Sequence, residues 1–172
     1  VAARDGGGSV TSDVQLSALV VVHNEEGQLE NCLEGLAFAD EIVVVLDKCT
    51  DSSKDIAARF TEHLVEGSWE RDGERRNIGI EACQGTWIFE IDADERVGED
   101  LGREIRGVID AVQGDIFNIP VDNYVGKRLI RYGWGGLFGK NGYPGLFRKG
   151  VKVWGPERAH PHLLVTGRQG PD

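Results

Sequence analysis

Long apolar runs, cysteine, glycine-rich phosphate loops and basic residues in the front of the chain are all scarce here. No purely apolar run outlasts the five residues of Ala18–Val22, far short of the roughly 20 that a membrane-spanning helix needs. Three cysteines, Cys32, Cys49 and Cys83, lie scattered. They have neither metal-ligand spacing nor the density of a disulfide framework, so a reduced, cytoplasmic setting is expected. No G-x-G-x-x-G follows the first apolar run, no Walker-type loop occurs, and Gly6–Gly8 precede any strand. A dinucleotide-binding unit and a P-loop enzyme are thereby excluded. Residues 1–122 carry only 10 Lys/Arg against 27 Asp/Glu, which argues against binding a nucleic-acid polymer. The leader, residues 1–15, is rich in Gly, Ser and Asp and reads as disordered, with no signal-peptide core.

What is present alternates. Leu16–Val22 and Asp40–Asp47 are β-branched runs with the texture of strands buried on both faces. Glu62–Val65, Thr86–Ile91 and Asp115–Val121 predict three more strands. Leu29, Cys32, Leu33 and Leu36 recur at helical spacing, as do Leu101, Ile105, Val108, Ile109 and Val112. Further helices are expected over 52–60, capped by Asp51 or Ser52, and over 74–83, weakened by Gly79 and ended at Gly85. Such alternation implies an α/β fold with a mainly parallel open sheet flanked by helices. Beyond Tyr124 the texture turns to Gly, aromatic and basic residues with short strand-like pieces. Residues 123–172 carry 9 Lys/Arg against 2 acids, a charge suited to an anionic acceptor, a diphosphate or a membrane surface.

In such sheets, ligands bind outside the carboxyl ends of the strands. Three of those ends are polar: His23-Asn24-Glu25-Glu26, Asp47-Lys48-Cys49-Thr50-Asp51, and Asp92-Ala93-Asp94-Glu95. Two carboxylates one residue apart at a strand end can hold Mg²⁺ or Mn²⁺ against a diphosphate, since these ions take hard oxygen ligands and share them with phosphates. A nucleotidyltransferase would want a glycine-rich, basic phosphate loop after the first strand, and His23–Glu26 is opposite in charge.

The ordered set V-V-V-H-N-E-E, D-E-I-V-V-V-L-D-K-C-T-D, R-R-N-I-G-I and I-F-E-I-D-A-D-E-R-V resembles glycosyltransferase family 2. Within it the chain is similar to the lipopolysaccharide core glucosyltransferase-like branch. The likeness runs from about Leu16 to Val97 and weakly on through Asn118-Ile119-Pro120, Leu146-Phe147-Arg148 and Ala159-His160-Pro161-His162. It implies a GT-A fold, Rossmann-like, and inverting, metal-dependent transfer of a sugar from a nucleotide diphosphate donor such as a UDP-sugar. The acceptor would be a glycan or a lipid-linked sugar, at the cytoplasmic face of the inner membrane. Residues 16–122 would form the nucleotide-sugar subdomain and 123–172 the acceptor side, truncated at its end.

By that resemblance His23, Asn24 and Glu25 border the nucleotide, Asp47 meets the base, and Arg76 lies near the nucleotide or its phosphates. Asp92 approaches the ribose or the metal, Asp94 ligates the metal, and His160 is a further candidate ligand. Glu95 is expected to cap the segment that follows, and His63 to lie at the surface. An inverting transfer needs a general base, for which Asp122 and Glu157 are the candidates. The chain departs from its relatives at Asn141, where an acid is expected, and at Gly145, where an arginine is. Those departures motivate an alternative, a non-catalytic nucleotide-binding module of the same fold.

Overall fold

Parallel strands with carboxyl ends on one edge account for the polar clusters of the sequence. The computed structural model describes residues 14–111, 113–122, 124–125, 128–129, 142–157 and 161–171. His160 and Asn141 lie outside them. In chain order the elements are β1 (Leu16–Val22), α1 (Leu29–Glu34), β2 (Glu41–Asp47), α2 (Ser53–Ala57), β3 (Leu64–Gly67), α3 (Asp72–Ala82) and β4 (Trp87–Asp92). Then follow α4 (Glu99–Ala111), β5 (Ile116–Pro120), β6 (Tyr124–Val125), β7 (Arg128–Leu129), β8 (Gly142–Arg148), β9 (Lys152–Trp154) and β10 (Leu163–Val165).

Six strands form one sheet in the order β3-β2-β1-β4-β8-β5, beside two-stranded ribbons β9-β10 and β6-β7. The first four run parallel, with Val20 opposite both Val44 and Ile91. β8 enters antiparallel between β4 and β5, so the rear of the chain supplies a strand to the central sheet.

β1 is buried along its whole length, as a strand covered on both faces must be. Leu16, Ala18, Val20 and Val22 pack with Leu29, Leu33, Ile105 and Ile109 on one face. Leu19, Val21, Val43, Val45, Ile88 and Phe147 pack with Ile80 of α3 on the other. Both clusters obey the two-residue period of strands.

Local boundaries differ from the sequence expectation by two residues or more in three places. β3 lies two residues later than 62–65, because Val44 N–H bonds to His63 O (3.1 Å) and Leu64 is the first residue in register with β2. α3 begins two residues earlier, at Asp72, whose carboxylate in the first turn binds the arginines of the next. α2 spans only Ser53–Ala57; Asp51 Oδ1 accepts the Ser53 N–H (3.0 Å), while the Ser52 side chain makes no capping bond.

Candidate active site

The carboxyl ends of β1, β2 and β4 meet at one edge of the sheet, and the loops leaving them are tied together. His23 Nδ1 lies 2.7 Å from Asp47 O. Asn24, with φ of 57°, turns its Oδ1 to the Thr50 N–H at 2.7 Å. The positive φ suits Asn, which tolerates the left-handed region better than most residues. Glu25 N–H donates to Ser53 Oγ (3.0 Å) and Glu26 N–H to Asp51 Oδ2 (3.0 Å). These bonds position His23, Asn24 and Glu25 through their neighbours and leave the His23 and Asn24 side chains exposed at the edge.

Asp47 and Asp92 sit at the ends of β2 and β4, and an ion-pair chain joins them. Asp47 is buried; Oδ1 accepts the Trp69 N–H (3.0 Å) and Oδ2 pairs with Arg75 Nη1 (3.0 Å). Arg75 Nη2 meets Asp72 Oδ1 (2.6 Å), and Asp72 Oδ2 meets Arg76 Nε (3.0 Å). Arg76 then reaches Glu90 Oε1 with Nη1 (2.7 Å) and Asp92 Oδ1 with Nη2 (2.9 Å). Burial works against the Arg76 charge, but Glu90, Asp92 and Asp72 outweigh it and raise the group above its ordinary value. Burial likewise pushes Asp72 upward, yet Arg76 and Arg75 hold it below the usual carboxylate range.

The network ends in Glu90 and Lys152, both 1% exposed, paired at 2.8 Å. Trp154 Nε1 donates to Glu90 Oε2 (3.3 Å), and Lys152 Nζ also donates to Pro144 O (2.8 Å). Burial lowers the Lys152 ammonium despite Glu90. Sequence reasoning passed over Glu90 and Lys152. The signal was there: a lone acid inside W-I-F-E-I, and a lone base between valines in V-K-V-W, each demanding a partner once buried.

Asp94 is exposed at the turn after β4. The turn is closed by Glu95, whose N–H reaches Asp92 O (3.0 Å) and whose Oε2 accepts the Asp92 N–H (3.4 Å). Glu95 thus closes its own turn backwards, and α4 starts four residues later, at Glu99. The half-buried Tyr143 hydroxyl lies 2.9 Å from Glu95 Oε2 and 3.0 Å from Glu90 O. Burial, then the nearby Glu95 charge, pushes that phenol up. Cys32 is pushed up to about 12 by burial and by Glu95, Asp94 and Asp92, and Cys83 to about 12 by burial and Glu41. Neither thiol is therefore a nucleophile at neutral pH.

Among the described residues, no group of three or more His, Cys, Asp or Glu could hold a metal by itself. An exposed Asp94 next to Asp92 instead fits an ion that takes one or two carboxylates and completes its shell with phosphate oxygens. Of the two general-base candidates, Asp122 is exposed beyond β5. Glu157 is exposed, pairs with His162 and accepts its N–H (3.2 Å). Its own backbone N–H and His162 hold Glu157 below the usual carboxylate range, which weakens it as a base. At Gly145, a Cβ would stand 2.6 Å from the Tyr143 ring and 2.9 Å from Ile119 Cγ1. The place of the expected arginine is filled by those two side chains.

The sequence profile described as Glycosyl transferase family 2 matches residues 17–158. Lipopolysaccharide core biosynthesis glycosyltransferase LpsC of Rhizobium meliloti (strain 1021) is 31% identical over 126 residues, covering 69% of this chain and 45% of that protein. Among solved structures, S. aureus TarS 1–349 superposes with a TM-score of 0.61 at 21% identity, over 80% of this chain and 48% of that one. The same protein in complex with UDP-GlcNAc gives 0.56 at 23% identity, over 66% and 36%. Mannosyltransferase PcManGT of Pyrobaculum calidifontis, in complex with GDP-Man and Mn²⁺, gives 0.54 at 21%, over 66% and 37%. The chain spans less than half the length of these relatives.

Proposed function

The chain belongs to glycosyltransferase family 2 and has its GT-A fold, and from that premise we propose an inverting, metal-dependent sugar transfer from a nucleoside diphosphate donor. The observation that carries the reading is the edge itself. Asp94 stands exposed at the end of β4, with Asp92, Asp47 and the His23–Glu25 loop on the same side of the sheet. The donor is a UDP-sugar, as in the TarS complex with UDP-GlcNAc, and the ion is Mn²⁺ or Mg²⁺, as PcManGT is complexed with Mn²⁺.

Asp94 and Asp92 would hold the ion, which when bound offsets the charge on the departing nucleoside diphosphate. Arg76 keeps Asp92 oriented, and Arg75 with the Trp69 N–H does the same for Asp47. Each Asp47 oxygen retains a second lone-pair direction for a donor on the base. Exposed His23 and Asn24, with Glu25 between their loop and α1, border the nucleotide. Asp122 or Glu157 takes the proton of the acceptor hydroxyl. His160 would supply a further metal ligand.

The acceptor is a glycan or a lipid-linked sugar in cell-envelope or lipopolysaccharide core synthesis, a reading supported by the likeness to LpsC. The excess of basic residues over 123–172 supports peripheral contact with the inner membrane from the cytoplasm. No helix among the described residues is long and apolar enough to cross a membrane. A thermal-shift screen of nucleotide sugars with and without Mn²⁺ tests the reading. A donor that binds only the folded state raises Tm by mass action, so a UDP-sugar should do so only when the metal is present. A panel in which no nucleotide shifts Tm contradicts it.

A second reading, a nucleotide-binding module without turnover, is favoured by the low, His162-paired Glu157 and by the filled position at Gly145. Metal-dependent binding with no hydrolysis or transfer of a labelled UDP-sugar would select it.

A further inference from the structure

The turn that carries Asp92 and Asp94 is fixed from three sides, and one of them comes from the rear of the chain. Asp92, Ala93, Asp94 and Glu95 form a tight turn, closed by the Glu95 N–H on Asp92 O (3.0 Å). Arg76 Nη2 holds the Asp92 carboxylate (2.9 Å), and Ala93 is buried in the core. Glu95 is the third anchor. Its Oε2 accepts the Asp92 N–H at 3.4 Å and lies 2.9 Å from the Tyr143 hydroxyl.

Tyr143 belongs to β8, whose backbone pairing with β4 ends at Phe89 and Leu146. One step further along β4, the Tyr143 side chain takes up the contact, with its hydroxyl 3.0 Å from Glu90 O. A phenol has one proton to donate. The Glu95 carboxylate is the stronger acceptor, since a bond to an ionised group is about twice as strong as a neutral one. Gly145 seats the ring. It lies two residues along the strand on the same face, and a Cβ there would stand 2.6 Å from Tyr143 Cε2 and 2.9 Å from Ile119 Cγ1. Both distances are too short for carbon atoms, so a side chain at 145 forces the Tyr143 ring aside.

We infer that Tyr143 is a positioning residue for the metal-holding turn, and that Gly145, where an arginine was expected, is the seat that lets it reach Glu95. The inference rests on the transfer reading above, in which Asp92 and Asp94 hold the ion. Tyr143 acts through its neighbour: it fixes Glu95, and Glu95 fixes both backbone ends of the turn. Exposed Asp94, at the tip, is thereby held near Asp92 before the ion arrives. Hydrogen-bonded groups behind metal ligands matter in this way, and losing one costs about 10–100-fold in metal affinity.

The test is a Mn²⁺ titration of the full chain with uridine diphosphate present, reading free Mn²⁺ by electron paramagnetic resonance. Tyr143→Phe removes the hydroxyl and keeps the ring, whereas Gly145→Ala keeps the hydroxyl and displaces the ring. Both should bind Mn²⁺ about tenfold or more weakly than wild type, at a temperature where near-UV circular dichroism shows all three chains folded. A tyrosine that only braces β8 would lower Tm in Tyr143→Phe and leave the Mn²⁺ affinity of the folded chain unchanged. That result would overturn the inference, as would a Gly145→Ala chain that binds Mn²⁺ as the wild type does. A wild type that takes up no Mn²⁺ with uridine diphosphate contradicts the transfer reading itself, and the inference falls with it.

Discussion

Glu90 is the residue on which most of the buried charge converges: Arg76 and Lys152 each take one oxygen, and Trp154 shares one of them. Removing one partner of such a pair leaves the other charge buried, which costs about 3–5 kcal/mol. Lys152→Met should therefore lower the urea midpoint sharply, and the Lys152→Met/Glu90→Gln double variant should recover much of the loss. A single variant within about 0.5 kcal/mol of wild type would show that the pair carries no such weight. Asp72 gives a pH signature. Its folded value is lowered by Arg76 and Arg75 against burial, so its contribution is fully present above the unfolded carboxylate value of about 3.9. It is lost as pH falls through the folded value, because the unfolded chain binds the proton more readily there. Urea midpoints measured below about pH 4 should fall less steeply in Asp72→Asn than in wild type; parallel slopes would contradict this.

At the scale of elements, α3 holds the site. Its Asn77 brackets Trp154 of β9 with two bonds of 2.9 Å, and its arginines bind the ends of β2 and β4. Gly79 lets it approach the sheet: a Cβ there would stand 2.6 Å from Leu19 Cδ1 and 2.8 Å from Val45 Cγ2. Alanine would gain about 1 kcal/mol of helix propensity, but overpacking against two fully buried side chains costs about 1–3 kcal/mol. Gly79→Ala is thus expected to be destabilising on chemical denaturation, and a stabilised variant would refute the close contact. From the sequence alone this glycine looked like a weakness of the helix, since propensity is local and the approach of Leu19 and Val45 is not. The buried strands and the amphipathic helices α1 and α4 were legible because their periodicity survives any tertiary arrangement. The insertion of β8 between β4 and β5 was not, because short Gly- and aromatic-rich pieces carry no period that names a neighbour.

Over the whole molecule, the carboxyl edge of the sheet gathers Asp47, Asp92 and Asp94, and the acids at its strand ends were visible in the sequence as polar breaks after apolar runs. Their arginine partners were not, because R-R-N-I-G-I says nothing of which carboxylates lie above the helix. Arg76 was expected near the nucleotide or its phosphates, and the structure makes it the hub between Asp72, Glu90 and Asp92. Asp94, in contrast, is exposed, and among the described residues no hydrogen bond or ion pair holds it. It is the carboxylate that can be removed without disturbing the core. The most direct measurement is calorimetry of uridine diphosphate binding with and without Mn²⁺, on wild type and Asp94→Ala. The account predicts metal-dependent binding in the wild type, reduced by about tenfold or more in Asp94→Ala with Tm unchanged. Wild-type binding that ignores the metal, or an Asp94→Ala chain that binds as well as the wild type, would contradict it.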